Sequence, residues 1–337
     1  MNTFKSNGLT LETLETGILA GDRQMLGRAI TLVESKKVED QEKGIALVES
    51  ILPHTGKSFR IGITGAPGVG KSTFIEALGL EMLGHGKKIA ILTIDPSSPV
   101  SGGSILGDKT RMERLSRSDQ VFIRPSPSGQ MKGGISSRLR EVVLLCEAAG
   151  YDLILIETMG VGQSEYEVSH IVDFLLLVLV SGLGDEIQGI KKGIMELVDA
   201  LVINKEDQRD DLLVAQTKAA YLQALTYVQR KWESWPVRVL SCSSLTGNGI
   251  KEVWDLLLNF QSGMKEALGT YRMEQNVFWF REQFNQMVKR KGEDKPLYRK
   301  RKMELEKQVG ENKISPQQAS IQLWAAYVRL LCEEEGI

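Results

Sequence analysis

A glycine-rich segment in the first quarter of the chain has the residue types and spacing of a phosphate-binding loop. Residues 65–72 read Gly-Ala-Pro-Gly-Val-Gly-Lys-Ser, which matches G-x-x-x-x-G-K-[ST] at every defined position. In this pattern backbone N–H groups and the following helix N-terminus face the phosphates, the lysine reaches the β- and γ-phosphates, and the serine hydroxyl binds Mg²⁺. The residues predicted to bind nucleotide are Gly65, Ala66, Pro67, Gly68, Val69, Gly70, Lys71, Ser72 and Thr73.

A second motif, Asn204-Lys-Glu-Asp207, directly follows an apolar run and has the form Asn-Lys-x-Asp. A carboxylate at the last position accepts hydrogen bonds from the guanine N1–H and exocyclic amino group, a donor pair that adenine lacks. A site built in this way rejects adenine, because its acceptors would be left unpaired. With a phosphate-binding loop upstream, Asn204, Lys205 and Asp207 predict GTP as the nucleotide.

The segment after the next apolar run, Ser241-Cys-Ser-Ser-Leu-Thr246, resembles the loop that supports the base in such sites. Serine is common in any turn that follows a strand, so this signal is less specific than the first two. The candidate base-supporting residues are Ser241, Ser243, Ser244 and Leu245.

Acidic residues at two other places suit a magnesium site. Glu157 ends the apolar run 153–156, and Gly160 follows three residues later, where GTPases carry an acid that supports Mg²⁺ and a glycine whose amide senses the γ-phosphate. The longer glutamate side chain leaves open whether Glu157 holds the ion directly or through water. Asp95 ends another apolar run and Asp108 follows a glycine-rich loop, which indicates Mg²⁺ support on a movable loop. The alternative is an ordinary loop in which Asp108 caps a helix.

Residues 181–193 form a glycine-punctuated loop that carries Asp185, Gln188, Lys191 and Lys192. A lysine beside the nucleotide could neutralise the charge that develops on the transferred phosphoryl group, as an arginine finger does elsewhere. Charged loop residues are more commonly only solvated, so the sequence leaves both interpretations open.

Short apolar runs that alternate with stretches long enough for a helix must position these motifs. The runs are 61–64, 88–94, 121–123, 153–156, 174–180, 200–203 and 237–240. This alternation requires crossover connections, hence an α/β fold with a mostly parallel sheet and helices on both faces. We predict a P-loop NTPase domain at 58–263, a helical N-terminal extension at 1–57 and a helical C-terminal dimerisation arm at 264–337.

The C-terminal arm has two predicted helices, 271–291 and 314–335, separated by a segment dense in charge. Its aromatic residues exceed what a solitary solvated arm should expose. They are Phe278, Trp279, Phe280, Phe284, Trp324 and Tyr327. A solvated helical arm is the alternative to a dimerisation arm.

Composition excludes several other classes of function. The 337 residues carry a formal net charge of -1, so no basic excess is present to attract nucleic acid or an anionic membrane. The longest apolar run, 174–180, is too short to span a bilayer. Three dispersed cysteines suit reduced thiols, and the polar first residues lack the apolar core of a signal peptide. We therefore expect no nucleic-acid or membrane partner and a cytoplasmic location.

Taken together, these segments resemble the MeaB/ArgK-type GTPases, which are similar to metallochaperone GTPases. The resemblance is carried by residues 95–112, 124–127, 157–165, 184–196 and 204–207. It implies a homodimer that hydrolyses GTP to GDP with Mg²⁺, gates cobalamin loading and protects an adenosylcobalamin-dependent acyl-CoA mutase, methylmalonyl-CoA mutase or a relative of it.

The same resemblance implies roles for individual residues. Ser72, Asp95, Asp108 and Glu157 would surround Mg²⁺, and Asp185 and Lys191 would belong to a switch that responds to the mutase. With these two, Lys71 and Gly160 complete the candidate catalytic set.

The sequence departs from the family pattern in two places and leaves two other functions open. Met159 stands where the family usually has valine, and Gly129-Gln-Met-Lys-Gly-Gly134 replaces a usual Gly-Thr-Leu-Gly-Gly, which puts a partner contact in question. An arginine/ornithine transport-system kinase is one alternative, although no amino-acid pocket or substrate base is evident. A GTP-gated chaperone of another metalloenzyme is the other, although the Cys/His clusters usual for nickel insertion are absent near the P-loop.

Overall fold

The computed structural model describes residues 10–35, 37–95, 112–127, 136–158, 164–182 and 192–335. The chain divides into two compact units, Met1–Met273 and Glu274–Ile337. The division falls ten residues beyond the predicted boundary between residues 263 and 264. The predicted domain bounds stay a prediction.

The first unit is built on one parallel sheet. Its strands are β1 (Phe59–Thr64), β2 (Ile89–Asp95), β3 (Val121–Pro127), β4 (Leu153–Glu157), β5 (Phe174–Val180), β6 (Ala200–Asn204) and β7 (Arg238–Ser241). They lie in the order β3-β2-β4-β1-β5-β6-β7, and every pairing is parallel. Each predicted apolar run is a strand, and the central strands β1, β5 and β6 are buried along their whole length. The predicted α/β P-loop fold is confirmed.

Helices connect the strands and extend both ends of the chain. In chain order they are α1 (Leu11–Leu19), α2 (Arg23–Val33), α3 (Val38–Ile51), α4 (Lys71–Gly84), α5 (Glu113–Ser116), α6 (Ser136–Ala148), α7 (Ser164–Ser169), α8 (Lys192–Met195), α9 (Asp211–Leu225), α10 (Ile250–Gly263), α11 (Lys265–Glu293), α12 (Pro296–Gly310) and α13 (Pro316–Glu335). α9 ends at Leu225, and beyond it the indole N–H groups of Trp232 and Trp235 donate to Asp199. None of the helices in the described part of the chain combines the length and apolar character that a bilayer crossing requires.

An aspartate directly before a strand fixes the start of its neighbour at three places in the sheet. Asp152 precedes β4 and accepts the Lys88 N–H at 2.8 Å. Asp173 precedes β5 and accepts the Arg60 N–H of β1 at 2.8 Å. Asp199 precedes β6 and accepts the Leu175 N–H of β5 at 2.7 Å. These bonds satisfy backbone donors at the amino ends of the strands, so they help to set the alignment of the strands.

A buried arginine, Arg60, and a half-buried one, Arg272, stabilise the amino-terminal edge of the sheet. The Arg60 guanidinium donates to Glu147 of α6 at 2.8 Å, and both side chains are almost inaccessible to solvent. Arg272 on α11 donates to Asp173 at 2.7 Å and to the carbonyl oxygen of Ser58 at 2.6 Å. These contacts bind α6 and the first turns of α11 to β1 and β5.

The N-terminal helices α1–α3 pack together and against α6. Their apolar faces bury residues such as Ile18, Leu26 and Leu47. Glu34, directly after α2, accepts from Arg124 of β3 at 2.8 Å. The predicted helical N-terminal extension is therefore attached to the sheet by packing and by an ion pair.

The second unit contains most of α11 with α12 and α13. Trp279 and Leu305 are buried within the chain. The Tyr327 hydroxyl of α13 donates to the Val288 carbonyl oxygen of α11 at 3.1 Å. This unit thus has packing contacts of its own rather than being a single extended helix.

Replacing Glu147 by glutamine should destabilise the protein by about 3 kcal/mol, because Arg60 would stay buried without its counter-ion. The free energy of unfolding in denaturant measures the effect. Glu113→Gln is the matched control, since Glu113 pairs with Arg117 on the exposed surface and such pairs contribute roughly 0–1 kcal/mol. Equal losses in the two variants would contradict the assignment of Arg60–Glu147 as a structural ion pair.

Candidate nucleotide site

The predicted phosphate-binding loop connects β1 to α4, and its glycines are required by close backbone contacts. Gly65 has φ +150, and a Cβ there would lie 2.2 Å from the Val178 carbonyl oxygen. Gly70 has φ +91, and a Cβ there would lie 2.9 Å from the Asn204 side-chain nitrogen. A side chain at either position would push the loop away from β5 and β6.

The N-terminus of α4 has the properties of an anion-binding site. The helix begins at Lys71, and its N-cap, Gly70, supplies no side-chain hydrogen bond. The first-turn N–H groups of such a helix have no partner within the helix. Together with the positive end of the helix dipole, they suit a phosphate group.

Lys71 is nearly buried, with 9% of its surface exposed. Its ammonium donates to the carbonyl oxygens of Gly65 at 2.8 Å and Ala66 at 3.1 Å. Burial lowers the pKa of Lys71, and the carboxylates of Glu157 and Glu165 oppose that shift. The ammonium is therefore held by the loop that is predicted to surround the phosphates.

Two of the predicted magnesium ligands lie together. The Ser72 hydroxyl donates to Glu157 Oε1 at 3.1 Å, and Glu157 ends β4, whose partner strand β1 leads into the loop. Hydroxyl and carboxylate oxygens are ligands that Mg²⁺ accepts, so this pair fits the ion. Asp95 ends the neighbouring strand β2, but its side chain and the whole of Asp108 lie outside the described residues.

The guanine motif is bound to the phosphate loop by its own side chains. Asn204, the last residue of β6, donates through its amide to the Val69 carbonyl oxygen at 3.0 Å. The amide oxygen of Asn204 accepts from the Ser244 N–H at 3.1 Å and from the Ser244 hydroxyl at 2.7 Å. Lys205, with φ +63, donates to the Gly68 carbonyl oxygen at 2.9 Å. The three predicted loops are thus brought together as one structure.

The base-supporting loop is ordered by its own hydrogen bonds. Ser243 is fully buried, and its hydroxyl accepts from the Thr246 N–H at 3.1 Å. Ser241 ends β7 and is half-buried, whereas Leu245 is exposed. Asp207 lies in a 3-10 turn, is exposed, and makes no hydrogen bond or ion pair with any described residue. Its carboxylate is therefore available to a base bound at this edge.

The remaining sequence-predicted residues fall outside the described part of the chain. They are Gly160, Asp185 and Lys191, together with Met159 and the segment 129–134. Lys192 begins α8, but its side chain is also outside that part. The catalytic roles expected for these residues stay predictions.

The structure adds one acidic residue to which the sequence analysis gave no role. Glu165, in the first turn of α7, is 2% exposed and accepts from the Thr64 hydroxyl at 3.3 Å. Thr64 is the residue directly before the phosphate loop. The only sequence signal that could have identified Glu165 was its position in the motif 157–165. Its burial next to β1 depends on the packing of α7, which the sequence does not show.

A cavity of about 480 Å³ lies away from this site. It is lined by residues near the amino ends of β6 and β7 and by α9, among them Val198, Leu222 and Val237. None of the phosphate-loop or guanine-motif residues lines it, so this cavity is separate from the predicted nucleotide site.

Comparison with known proteins supports the assignment made from the geometry. Residues 26–296 match the family described as Methylmalonyl Co-A mutase-associated GTPase MeaB. The GTPase ArgK of Escherichia coli (strain K12) is 46% identical over 284 residues, which cover 84% of this chain and 86% of that protein. The mitochondrial methylmalonic aciduria type A homolog of Mus musculus is 40% identical over 331 residues, which cover 94% of this chain and 79% of that protein.

Among solved structures, a crystal structure of an LAO/AO transport system kinase is similar over nearly the whole chain. The TM-score is 0.76 at 36% sequence identity, with 96% of this chain and 99% of that chain covered. The resemblance inferred from the motifs is confirmed, and GTPase activity is supported by the family and by the relatives' names.

Asp207→Asn should weaken GTP binding by about ten- to a hundredfold, because a charge-assisted pair of bonds to guanine is lost. The same variant should gain affinity for xanthosine triphosphate, whose base presents an acceptor where guanine presents a donor. Calorimetric titration with both nucleotides measures the change. Asp211→Asn removes an equal charge from the exposed first turn of α9 and should keep the preference for GTP. Equal affinity of the unmodified protein for ATP and GTP would contradict guanine recognition.

Proposed function

The chain belongs to the MeaB family of P-loop GTPases, and we propose that it is a GTP-driven chaperone of an adenosylcobalamin-dependent acyl-CoA mutase. Methylmalonyl-CoA mutase is the partner we favour, because the family description names it and a relative is called a methylmalonic aciduria type A homolog. In this role the protein gates cobalamin loading and protects the mutase from inactivation.

The observation that carries the nucleotide half of this proposal is the contact of Asn204 with both Val69 and Ser244. It ties the proposed base-reading loop to the phosphate loop, so one GTP can bridge them. Lys71 would bind the β- and γ-phosphates, and Ser72 and Glu157 would hold Mg²⁺ with Asp95 and Asp108. Magnesium at that place would neutralise phosphate charge during transfer to water.

Coupling to the mutase is assigned to Asp185 and Lys191, with Gly160 reporting the γ-phosphate. The loop that carries Asp185 and Lys191 follows β5, whose carboxyl end lies beside β1 and β6. If the mutase binds one arrangement of this loop more tightly than another, its binding shifts the loop toward that arrangement. The shift in the conformational equilibrium is limited by the difference between the two binding affinities. Lys191 placed near the γ-phosphate then raises the rate of hydrolysis.

The second unit supports a homodimer held by the C-terminal arm. On α11, the exposed residues Val277, Phe280, Phe284 and Met287 recur at alternating intervals of three and four residues. This is the spacing of a coiled-coil seam. The exposed fraction is 69% for Phe280 and 51% for Phe284, which favours a second copy of the chain as the cover.

The described cysteines and the charge balance support a cytoplasmic protein with no nucleic-acid or membrane partner. Cys146 and Cys242 are buried and form no disulfide, which is usual in a reducing compartment. The near-zero net charge gives no general attraction to polyanions.

A transport-system kinase is the second candidate, favoured by the description of the similar crystal structure. A kinase would transfer the γ-phosphoryl group to an amino-acid-transport protein, whereas a GTPase chaperone releases inorganic phosphate. Capture of partners on GTP- and GDP-loaded protein, with identification of the bound chain, distinguishes these functions and also reveals a different metalloenzyme partner.

Phe280→Glu combined with Phe284→Glu should convert a dimer into a monomer, because like charges would face each other across the seam. Sedimentation at micromolar concentration measures the mass. Asn285→Glu, on the same helix but away from the seam and exposed, is the matched control and should remain dimeric. A monomer in the unmodified protein would contradict the dimerisation arm.

Lys191→Ala should leave GTP affinity nearly unchanged and abolish most of the mutase-stimulated hydrolysis. A finger residue contributes about 10³–10⁵ in rate in other GTPases, and we expect less from a lysine, which lacks the bidentate geometry of arginine. Phosphate release with and without the mutase measures the effect. Lys192→Ala is the neighbouring control and should remain stimulated. If the mutase stimulated GTP hydrolysis by Lys191→Ala as strongly as by the unmodified protein, the finger role would be wrong and Lys191 would be only a solvated loop charge.

A further inference from the structure

The cavity of about 480 Å³ beside α9 has no part in the reaction proposed above. All the residues that line it lie in the described part of the chain and in the first unit. Its volume falls within the range of about 300–1,000 Å³ that is usual for sites that bind small molecules. What the cavity can hold depends on how its walls are fixed and on which groups line them.

Two tryptophans fix the connection from α9 to β7, which forms part of the wall. The indole N–H of Trp232 donates to Asp199 Oδ1 at 2.7 Å, and that of Trp235 donates to the Asp199 carbonyl oxygen at 3.1 Å. Both rings pack against Phe260 of α10, with centroid distances of 5.9 and 4.9 Å. Neither tryptophan lines the cavity. Because the largest side chains of this connection are bonded elsewhere, they do not fill the space, and the cavity is part of the folded structure.

Most of the residues that line the cavity are apolar. Met195, Val198 and Val239 are buried, whereas Leu222 of α9 is 45% exposed. An apolar group that enters the cavity and covers Leu222 removes apolar surface from water on both molecules, which is favourable. The wall therefore suits a ligand with an apolar body.

The charged residues of the wall are mainly cations. Lys218, Arg230 and Arg238 line the cavity, and none of them forms an ion pair or a side-chain hydrogen bond with any residue that the structure describes. Lys231 also lines it, but its ammonium lies 3.3 Å from the buried carboxylate of Asp199. Glu196 is the one acid among the lining residues, so three unpaired cations are set against a single carboxylate.

This positive excess is local, because the whole chain has a formal net charge of -1. Lys218 is half-buried, whereas Arg230 and Arg238 are exposed. An anionic group that pairs with a partly desolvated cation gains a charge-assisted hydrogen bond, which is stronger than a bond between neutral groups. The wall thus combines an apolar surface with cations that have no partner among the described residues.

We propose that this cavity binds a small organic anion with an apolar body. Its carboxylate, phosphate or sulfonate group pairs with Lys218, Arg230 or Arg238, and its apolar part lies on Val198 and Leu222. Since no residue of the phosphate loop or the guanine motif lines the cavity, the ligand and GTP bind at the same time. The inference does not depend on which partner the protein serves.

The test uses the full chain with GDP and magnesium in excess, so that the nucleotide site is occupied. The probe is 8-anilinonaphthalene-1-sulfonate, whose fluorescence rises when its apolar rings leave water. Octanoate and octyl phosphate should displace it. 1-Octanol, which has the same chain without a charge, and octylamine, which carries the opposite charge, should displace it at least about tenfold less well, because neither gains the charge-assisted bond.

Equal displacement by octanoate, 1-octanol and octylamine would show an unselective apolar groove and overturn the proposal. The absence of saturable binding up to about 1 mM, a concentration that corresponds to very weak affinity, would overturn it as well. Displacement of the probe by GDP would place it at the nucleotide site, which is also contrary to the proposal.

Variants assign the binding to this cavity. Leu222→Trp fills it with a larger side chain and should remove the octanoate-sensitive binding, whereas Leu258→Trp, at an exposed leucine of α10 that does not line it, should keep it. Lys218→Met removes a charge at similar length and should weaken octanoate binding by about tenfold. Lys251→Met, at an exposed lysine of α10, is its matched control and should bind as the unmodified protein does.

Thermal unfolding of each variant shows whether it is folded. If Leu222→Trp fails to fold, Lys218→Met and Arg238→Met decide the question, since neither residue is buried. Undiminished octanoate binding in both charge variants would overturn the proposal, and so would equal effects of Leu222→Trp and Leu258→Trp.

Discussion

The predicted nucleotide site depends on the side chain of Asn204. Its amide group donates to the phosphate loop at Val69 and accepts from Ser244 in the loop after β7. One buried amide thereby connects the ends of β1, β6 and β7. Each of these bonds adds a modest net stability, but a buried amide left unpaired would cost more, so the three loops are stable only when they lie together. The phosphate and base halves of the site are consequently a single structure.

This arrangement requires that the strands end level with one another, and the opposite edge of the sheet contributes to that. Asp152, Asp173 and Asp199 each precede a strand and bind a backbone N–H at the start of its neighbour. A shift of one residue would reverse the side-chain direction along a buried strand and would also break these bonds. The alignment set at the amino ends places Glu157 opposite Ile63 and Asn204 opposite Val180, close to the loop.

The sequence predicted the strands because a fully buried parallel strand is a short apolar run, and every such run became a strand. It predicted the phosphate loop because glycines at fixed spacing are required by contacts such as that of Gly65 with Val178. Two features could not be read in the same way. Beyond α9, Trp232 donates to Asp199 at the start of β6, a tertiary contact that no local sequence pattern indicates. The sequence analysis gave Glu165 no role, because its burial depends on the packing of α7 against β1.

Buried charges serve different purposes at the two edges of the sheet. At the amino edge, Arg60 and Arg272 bond directly to the carboxylates of Glu147 and Asp173, and separating such pairs is costly. At the carboxyl edge, no carboxylate of the described residues lies within ion-pair distance of Lys71, whose ammonium bonds to two loop carbonyl oxygens instead. Each of these charge-assisted bonds contributes about 1.5–3 kcal/mol, and a negatively charged phosphate could replace a carbonyl oxygen as the acceptor. The same sheet therefore has direct ion pairs at its amino edge, whereas the cation at its carboxyl edge is bonded to neutral carbonyl oxygens, an arrangement that suits the predicted role of Lys71 at the phosphates.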